Sequence, residues 1–360
     1  MTNGPIIDED RRRGRGARSN RVGRYDEHTR DEFDDGWESL GTLDTFRTRV
    51  HEERAKSIIA TNDSPDISFD RSINPYRGCE HGCIYCYARP THCYLGHSAG
   101  LDFETELYAK VNGAELLERE LASPKYIPGV IALGAVTDPY QPIERQYGIT
   151  RSILEVLDRT SHPVGIVTKS AGVVRDIDIL ERMARRGLVK VAVSVTTLDA
   201  VLARRMEPRA ASPPRRIDAI RQLAAAGIPT TVMVAPIIPA LTDSEIEGIL
   251  TAARDAGALQ AGYVLLRLPL ELKELFREWL QTEYPDRAAR VISLLRSMHG
   301  GRDYVATFGQ RQRGTGPYAD QIAARFRLAL RRLGLNQRVC TLRTDQFRPP
   351  ARADGQLSLL

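Results

Sequence analysis

Three cysteines, Cys79, Cys83 and Cys86, lie within eight residues of one another in the spacing C-x3-C-x2-C. The sequence has only five cysteines, and its first residues, MTNGPIIDEDRRR, lack the apolar core of a signal peptide. We therefore expect a cytoplasmic setting, in which this grouping is a metal or redox site rather than a set of disulfides. Three thiolates this close must bend around a common centre. A 4Fe-4S cluster has four iron corners, so three cysteines would leave one iron open to a non-protein ligand.

A structural zinc site is the main alternative for these thiols. Zinc normally takes four protein ligands, and His81, His92 or His97 could complete a Cys3His set. The usual zinc signature, however, is two C-x2-C pairs, and His81, placed between two of the cysteines, is expected to point outward. Three merely buried cysteines are a further alternative. It is disfavoured because charged residues, among them Glu80 and Arg89, flank the motif and do not look like a core.

The apolar pattern predicts the elements that must position this loop. From about residue 66, short β-branched runs alternate with longer amphipathic stretches, which is typical of βα units on a parallel sheet. Strands are predicted at 67–73, 130–135, 164–168, 189–195, 230–235 and 263–267. Helices are predicted between them at 114–121, 150–159, 173–186, 214–226 and 244–256. The strands are nearly continuously apolar, as expected of strands buried on both faces.

Six such units predict an α/β chain folded as a partial (β/α)6 TIM-like barrel, with a doubly wound sheet as the alternative. In either fold the chemistry is expected at the C-terminal ends of the strands. We predict a polar, partly disordered N-terminal arm over 1–65, the barrel core over 66–305, and a helical C-terminal extension and tail over 306–360. Near the end of the chain, helices are predicted at 271–280, 287–298 and 318–333.

Composition and charge limit the possible partners. The formal net charge is +5, and no apolar run approaches the roughly 18 to 20 residues of a membrane span, so no membrane partner is expected. Seven arginines lie between positions 11 and 24, ahead of an acidic stretch at 31–35. This arm could contact nucleic acid, but the small positive excess does not require it, and a solvated segment is the alternative.

The cysteine motif and its surroundings resemble a known family. C-x3-C-x2-C with an aromatic residue, Tyr85, just before the third cysteine, in the loop after the first strand of a six-unit barrel, resembles the radical S-adenosylmethionine (radical SAM) superfamily over most of 66–305. The segments RGCEHGCIYCYAR and TDPYQPIE most resemble the branch that includes spore photoproduct lyase.

The resemblance implies an enzyme with two cofactors, a 4Fe-4S cluster and S-adenosylmethionine. Cys79, Cys83 and Cys86 would hold the cluster, its open iron would bind S-adenosylmethionine, and Tyr85 would lie against the adenine. One electron would then cleave S-adenosylmethionine to a 5'-deoxyadenosyl radical, which abstracts hydrogen from the substrate. The resemblance also implies a one-electron donor such as flavodoxin or ferredoxin.

Further residues at strand ends are assigned to the cofactor. A lone ammonium at a barrel mouth suits a carboxylate, so Lys169, one of only six lysines, is expected to hold the methionine carboxylate, as a similarly placed lysine does in spore photoproduct lyase. Thr137 and Asp138 follow the second strand and could receive the amino group or orient a ligand; the alternative is that Thr-Asp-Pro forms an ordinary turn. Ser194 and Thr196 end the fourth strand, where their hydroxyls could reach the ribose or the carboxylate.

The remaining residues near the mouth have two interpretations. By resemblance, Glu207 and Arg209 lie where the family lines its pocket, and Arg267, which ends the sixth strand, could neutralise an anionic group. The alternative for each charge is an ion pair inside the barrel. Tyr76, Tyr87 and Tyr94 are expected to take part in ordinary packing.

One position departs from the spore photoproduct lyase pattern. That enzyme has a hydrogen-donating cysteine at the end of the second strand, where this chain has Ala135; Cys93 could substitute, although a small buried thiol is the plainer interpretation. The leading hypothesis is a radical SAM enzyme acting on an unidentified substrate. The alternatives are a DNA-lesion repair lyase, which the basic arm and the basic region 309–332 favour, and a non-enzymatic zinc or iron–sulfur binding module.

Overall fold

The computed structural model describes residues 7–25, 45–337 and 340–351, so the acidic stretch at 31–35 lies outside the described residues. The strands are β1 (Arg49–Glu53), β2 (Ile59–Thr61), β3 (Arg71–Ile73), β4 (Tyr76–Arg77), β5 (Glu106–Lys110), β6 (Ile131–Leu133), β7 (Val164–Thr168), β8 (Val189–Ser194), β9 (Thr230–Ile237) and β10 (Gln260–Leu265). The helices are α1 (Asp102–Thr105), α2 (Gly113–Leu121), α3 (Glu144–Tyr147), α4 (Ile149–Arg159), α5 (Ile177–Arg185), α6 (Ala200–Met206), α7 (Pro213–Ala225), α8 (Ile246–Asp255), α9 (Leu272–Glu283), α10 (Pro285–Ser297) and α11 (Pro317–Leu333). Short 3-10 segments lie at Arg89–Leu95, Ala171–Asp176 and Asp243–Glu245.

The main sheet has seven strands in the order β10-β9-β8-β7-β6-β3-β2. All neighbours from β3 to β10 pair in parallel, and β2 pairs with β3 in the antiparallel sense. The six parallel strands therefore follow one another in chain order, without the reversal of order that defines a doubly wound sheet. This order confirms the predicted partial (β/α)6 barrel. In the part of the chain that the structure describes, no helix is long and apolar enough to cross a bilayer.

Local sequence signals account for the βα units. Helix α7 begins at Pro213, whose missing N–H costs nothing in the first turn. It ends where Gly227 takes a φ of 72°, and the N–H of Ile228 donates to the carbonyl of Leu223 at 3.0 Å. This left-handed cap satisfies the last carbonyls and turns the chain directly into β9.

Strands β7 to β10 are buried mainly on one face, which corrects the expectation of burial on both, whereas all three residues of β6 are buried. In β7, Val164, Ile166 and Thr168 are buried, whereas Gly165 is half-buried and Val167 is exposed. The same alternation runs through β8, β9 and β10. One face packs under the helices, and the other faces the barrel interior.

The first predicted strand, 67–73, is shortened to β3. Residues 62–70 form a turn instead, in which the Asn62 side chain accepts from the N–H of Ser64 at 3.1 Å and donates to the carbonyl of Phe69 at 3.1 Å. A second sheet of three strands, in the order β1-β5-β4, was not predicted. Its strands are short and polar, so they give little alternation to detect.

Residues 7–25, which we name the N-terminal strap, pack along the acidic side of α9. Arg18 pairs with Glu283 and Arg21 with Glu278, and Ser19 donates to Glu278 at 2.7 Å. Arg18 and Ser19 are buried. The described part of the predicted arm, residues 7–25 and 45–65, thus contains the strap, β1 and β2.

The C-terminal segment packs against the start of β7. Phe347 stacks edge-on against His162, with ring centroids 5.3 Å apart. The Nδ1 of His162 lies 3.0 Å from the carbonyl of Pro163, which can only accept, so Nε2 accepts from the hydroxyl of Tyr126 at 2.7 Å. Burial lowers the pKa of His162 to about 4, since the charged ring would lose water.

We predict that His162 makes stability depend on pH between about 4 and 6.5. In this range the unfolded chain binds a proton at His162 that the folded chain excludes, so stability falls as the pH falls, by up to about 3 kcal/mol. Urea unfolding at a series of pH values measures this, and His162→Gln should flatten the profile. The exposed His51, changed to Gln, is the control. Equal profiles for wild type and His162→Gln would contradict the prediction.

Candidate active site

The three cysteines lie on one loop, residues 79–86, which we name the cysteine loop. Cys79 and Cys83 are buried and Cys86 is half-buried. Backbone hydrogen bonds fix the loop at both ends: the N–H of Cys79 donates to the carbonyl of Phe103 at 2.8 Å, and the N–H of Ile84 donates to that of Met206 at 3.0 Å. The loop is therefore held between the segment before β5 and the end of α6.

A buried arginine holds the cysteine loop through hydrogen bonds to the loop's backbone carbonyls. Arg89 is fully buried, and each of its five N–H groups has an acceptor. Its Nε donates to the carbonyl of Cys83 at 2.9 Å and its Nη2 to that of Gly82 at 3.1 Å. Its remaining groups donate to the carbonyls of Ala99 and Gly100 and to Oε1 of Glu104, at 3.2, 2.8 and 2.5 Å. Contrary to the prediction from the sequence, the charged residues Glu80 and Arg89 that flank the motif are buried, and ion pairing is what permits their burial.

The N-terminal strap completes this arrangement. The carboxylate of Glu104 accepts the N–H groups of Gly16 and Ala17, both at 2.8 Å. A Cβ on Gly16 would come within 1.9 Å of the carbonyl oxygen of Gly82, so only glycine allows this approach. The strap thus lies directly against the outer side of the cysteine loop.

His81 faces inward, which corrects the expectation that it points outward. It is buried, with Nδ1 3.4 Å from Oδ2 of Asp138. Asp138 also accepts from Thr168 Oγ1 at 2.7 Å and from the backbone N–H of Lys169 at 2.7 Å. Burial would raise the pKa of Asp138, but His81 and these hydrogen bonds outweigh it and lower the pKa to about 2. The Asp138 carboxylate therefore links His81 of the cysteine loop to the end of β7 and to Lys169, the next residue.

A second buried ion pair orients Tyr85. The hydroxyl of Tyr85 donates to Glu207, whose other oxygen pairs with the buried Arg216. Thr196 Oγ1 donates to the same Glu207 oxygen at 2.7 Å. Arg216 also donates to the carbonyl of Ser194 at 3.2 Å, which ties the pair to the end of β8. The ring of Tyr85 is thereby fixed on the inner side of the cysteine loop.

The structure brings Lys169 to the same place. Side chains alternate along a strand, so Lys169 continues the inward face of Gly165 and Val167, as Ser194 continues that of β8. Lys169 Nζ lies 5.7 Å from the Tyr85 ring centroid and 3.5 Å from the carbonyl of Ala235. An ammonium, a phenol ring and strand-end hydroxyls thus converge at the C-terminal mouth of the barrel.

The residues that follow β6, the second parallel strand of the barrel, mainly support the backbone around the site. Thr137 Oγ1 donates to the carbonyl of Tyr76 at 2.8 Å, and the side chain of Asn74 accepts from the N–H of Val136 at 2.8 Å. Gln141 bridges the loop, accepting from the N–H of Glu80 at 2.9 Å. Neither Asn74 nor Gln141 is predicted as a site residue from the sequence, although Gln141 stands in the segment TDPYQPIE.

Two of the three tyrosines expected to be ordinary packing residues are exposed. Tyr76 is buried against Glu144, but Tyr87 and Tyr94 are exposed. Tyr87 donates to the carbonyl of Ala135, and the guanidinium of Arg267 stacks on its ring with 4.0 Å to the centroid. Tyr87 is therefore a mouth residue rather than a core residue.

The three thiols of the cysteine loop are donors of the kind that hold iron–sulfur clusters. Burial raises the pKa of Cys79 and of Cys83, and neighbouring thiols add to this, so both need iron or another cation to stay ionised. Within the described ranges, no three histidine, cysteine or acidic side chains are grouped as a single metal ion needs.

We predict that Arg89→Met destabilises the protein by about 3–5 kcal/mol, because it leaves Glu104 buried without its partner. Urea unfolding of the metal-free protein measures the change. Arg159→Gln is the matched control: its ion pair with Glu118 is exposed (59% and 44% of the side chains), so its loss should cost under about 1 kcal/mol. Equal losses in the two variants would show that the Arg89 pair is not the anchor of the loop.

Known proteins with similar sequences include the uncharacterized protein Rv2578c of Mycobacterium tuberculosis, which is 37% identical over 251 residues, 68% of this chain and 73% of the relative. The uncharacterized protein MJ0683 of Methanocaldococcus jannaschii is 30% identical over 214 residues, 59% of this chain and 76% of the relative. Neither name assigns an activity.

Solved structures of similar fold include spore photoproduct lyase complexed with dinucleoside spore photoproduct, with a TM-score of 0.56 and 17% identity over 79% of this chain and 78% of the other. A mutant form of that lyase aligns with the same TM-score and coverage at 18% identity. At this low sequence identity, the similarity shows a shared fold alone.

The sequence profile of the radical SAM superfamily matches residues 73–253, which include the cysteine loop and the strands β6 to β9. Because this match covers half of the chain and agrees with the barrel described above, the protein belongs to the radical SAM superfamily and is an enzyme of that superfamily.

Proposed function

We propose that this enzyme uses a 4Fe-4S cluster on Cys79, Cys83 and Cys86 to cleave S-adenosylmethionine and abstract hydrogen from a substrate. The observation that carries the proposal is the convergence of Lys169 and Tyr85 with the cysteine loop at one barrel mouth. A cluster bound there supplies the single electron, received from a donor such as flavodoxin or ferredoxin, that yields the 5'-deoxyadenosyl radical.

The residues of this chain bind and orient S-adenosylmethionine. Lys169 carries the positive charge for the methionine carboxylate, and the Tyr85 ring, fixed by Glu207, offers a face to the adenine. Ser194 offers a hydroxyl to the ribose or the carboxylate, whereas Thr196, whose proton is donated to Glu207, offers only its lone pairs, which suit a ribose hydroxyl.

Asp138 positions another residue in this proposal, whereas Thr137 contacts the cofactor. Asp138 accepts hydrogen bonds from Thr168 and Lys169, so its role is to hold the end of β7 and thereby position Lys169. The hydroxyl of Thr137 donates to a backbone carbonyl and keeps its lone pairs to accept from the amino group of the cofactor.

Two observations favour this general activity over a DNA-lesion repair lyase. Arg18, Arg21 and Arg24 of the basic arm pair with carboxylates of α9 or its first turn, which leaves less positive charge for phosphates. Ala135 also provides no thiol at the end of the second strand. We therefore leave the substrate open here.

The cluster assignment is tested by iron loading. Anaerobic reconstitution should give about four iron per chain, and dithionite with S-adenosylmethionine should release 5'-deoxyadenosine. We expect Cys83→Ala to lose both properties and Cys340→Ala, outside the cysteine loop, to keep them. A colourless protein with one tightly held zinc, or a fully iron-loaded protein that releases no 5'-deoxyadenosine, would refute the proposal.

The role of Lys169 is tested by binding. Lys169→Gln should weaken S-adenosylmethionine binding about tenfold or more at unchanged iron content, because it removes a charged partner of the carboxylate. Equilibrium dialysis with the reconstituted protein measures the Kd. Lys273→Gln, on the exposed side of α9, is the matched control, and a Kd equal to that of the control would remove Lys169 from the site.

A further inference from the structure

The barrel mouth carries a second cationic position that the proposed cofactor site does not use. Arg267 follows β10 and stacks on Tyr87, the residue after Cys86. Tyr87 donates to the carbonyl of Ala135, just beyond β6. Tyr87 thus spans the ends of the second and last strands of the barrel, and Arg267 lies on its ring.

The charge of Arg267 is not matched by an ion pair among the residues that the structure describes. Its direct contact there is the ring of Tyr87. The pKa of Asp66 is lowered by the N–H of Gly309 and by Arg311, and least by Arg267, so that carboxylate is already committed elsewhere.

The N–H groups of Arg267 remain available to a ligand. A guanidinium stacked on a ring keeps its donors in its own plane, pointing away from its edge. Tyr87 has 41% of its surface exposed, so the stacked pair is in reach of solutes. Stacking also fixes the orientation of the fork, which lowers the entropy lost on binding.

Residues 308–314 form a segment that contacts β10, the strand before Arg267. The N–H of Leu265 in β10 donates to the carbonyl of Gln312 at 2.9 Å, and Arg311 donates to Ser64 Oγ at 2.5 Å. Since β10 and β2 are the edge strands of the main sheet, and Ser64 follows β2, the segment joins the two edges. Arg267 therefore lies near the segment that joins the two edges of the sheet, and its contact with Tyr87 places it next to the cysteine loop.

We propose that Arg267 binds an oxyanion of the substrate, a phosphate or carboxylate group, and so holds the substrate next to the cysteine loop. The inference rests on the proposed function, which gives a substrate its reason to bind at this mouth. Lys169, on the β7 side, is assigned to the carboxylate of S-adenosylmethionine, and Arg267, on the β10 side, takes a separate anion. A planar fork suits a two-oxygen acceptor.

Calorimetric titration of the reconstituted full-length protein tests the site, with pyrophosphate and citrate as separate probes at constant ionic strength. We expect one or both to bind, and to bind about tenfold more weakly to Arg267→Gln, because hydrogen bonds to a charged group are lost. Preference for pyrophosphate identifies a phosphate group and preference for citrate a carboxylate. Arg327→Gln, on the exposed side of α11, is the matched control and should bind as the wild type does.

Arg267→Lys keeps the charge without the fork and should bind with intermediate affinity, which guards against a variant that fails to fold. No binding of either anion to the wild type, or equal affinity in wild type and Arg267→Gln, would overturn the inference. The same preparations are assayed for 5'-deoxyadenosine release. Release without anion binding counts against Arg267 alone, whereas anion binding without release counts against the proposed function alone.

Discussion

The conformation of the cysteine loop depends on one buried guanidinium. Arg89 uses all five of its N–H groups, on two carbonyls of the loop, two carbonyls ahead of α1, and Glu104. A lysine could not replace it, because an ammonium has three donors and no fixed plane. Its burial is tolerable only because Glu104 supplies the opposite charge, and Glu104 in turn depends on the amides of the strap. The strap, α1 and the cysteine loop therefore form one electrostatic unit.

The inner side of the loop follows a similar rule with different residues. Arg216 and Glu207 are buried as a pair, and the pair fixes the hydroxyl of Tyr85. The period-two alternation of the strands brings Lys169 to the same side, where its ammonium lies 5.7 Å from the centroid of the Tyr85 ring. Rigid ion pairs thus surround the mouth, while the groups that face its space remain able to take a ligand.

The sequence predicted what local pattern encodes. The βα alternation, the parallel strands in chain order and the grouping of Cys79, Cys83 and Cys86 are visible within short windows. The pairing of Arg18 with Glu283 is not, because 265 positions separate the two residues and each alone resembles a solvated charge. The inward orientation of His81 could not be predicted for the same reason, because its neighbours in the sequence do not indicate the contact with Asp138. Buried polar networks are fixed by three-dimensional proximity, and single-sequence reasoning has no access to that.

The strap also imposes an order of events on biosynthesis. Its arginines are made well before their partners Glu278 and Glu283, which belong to α9, more than 250 residues later. A contact this distant along the chain forms only after the intervening strands have been synthesised. Until α9 emerges from the ribosome, the strap on the outer side of the cysteine loop cannot form these ion pairs. The nascent chain therefore passes through a stage in which the thiols are already translated but the strap is not yet secured over them.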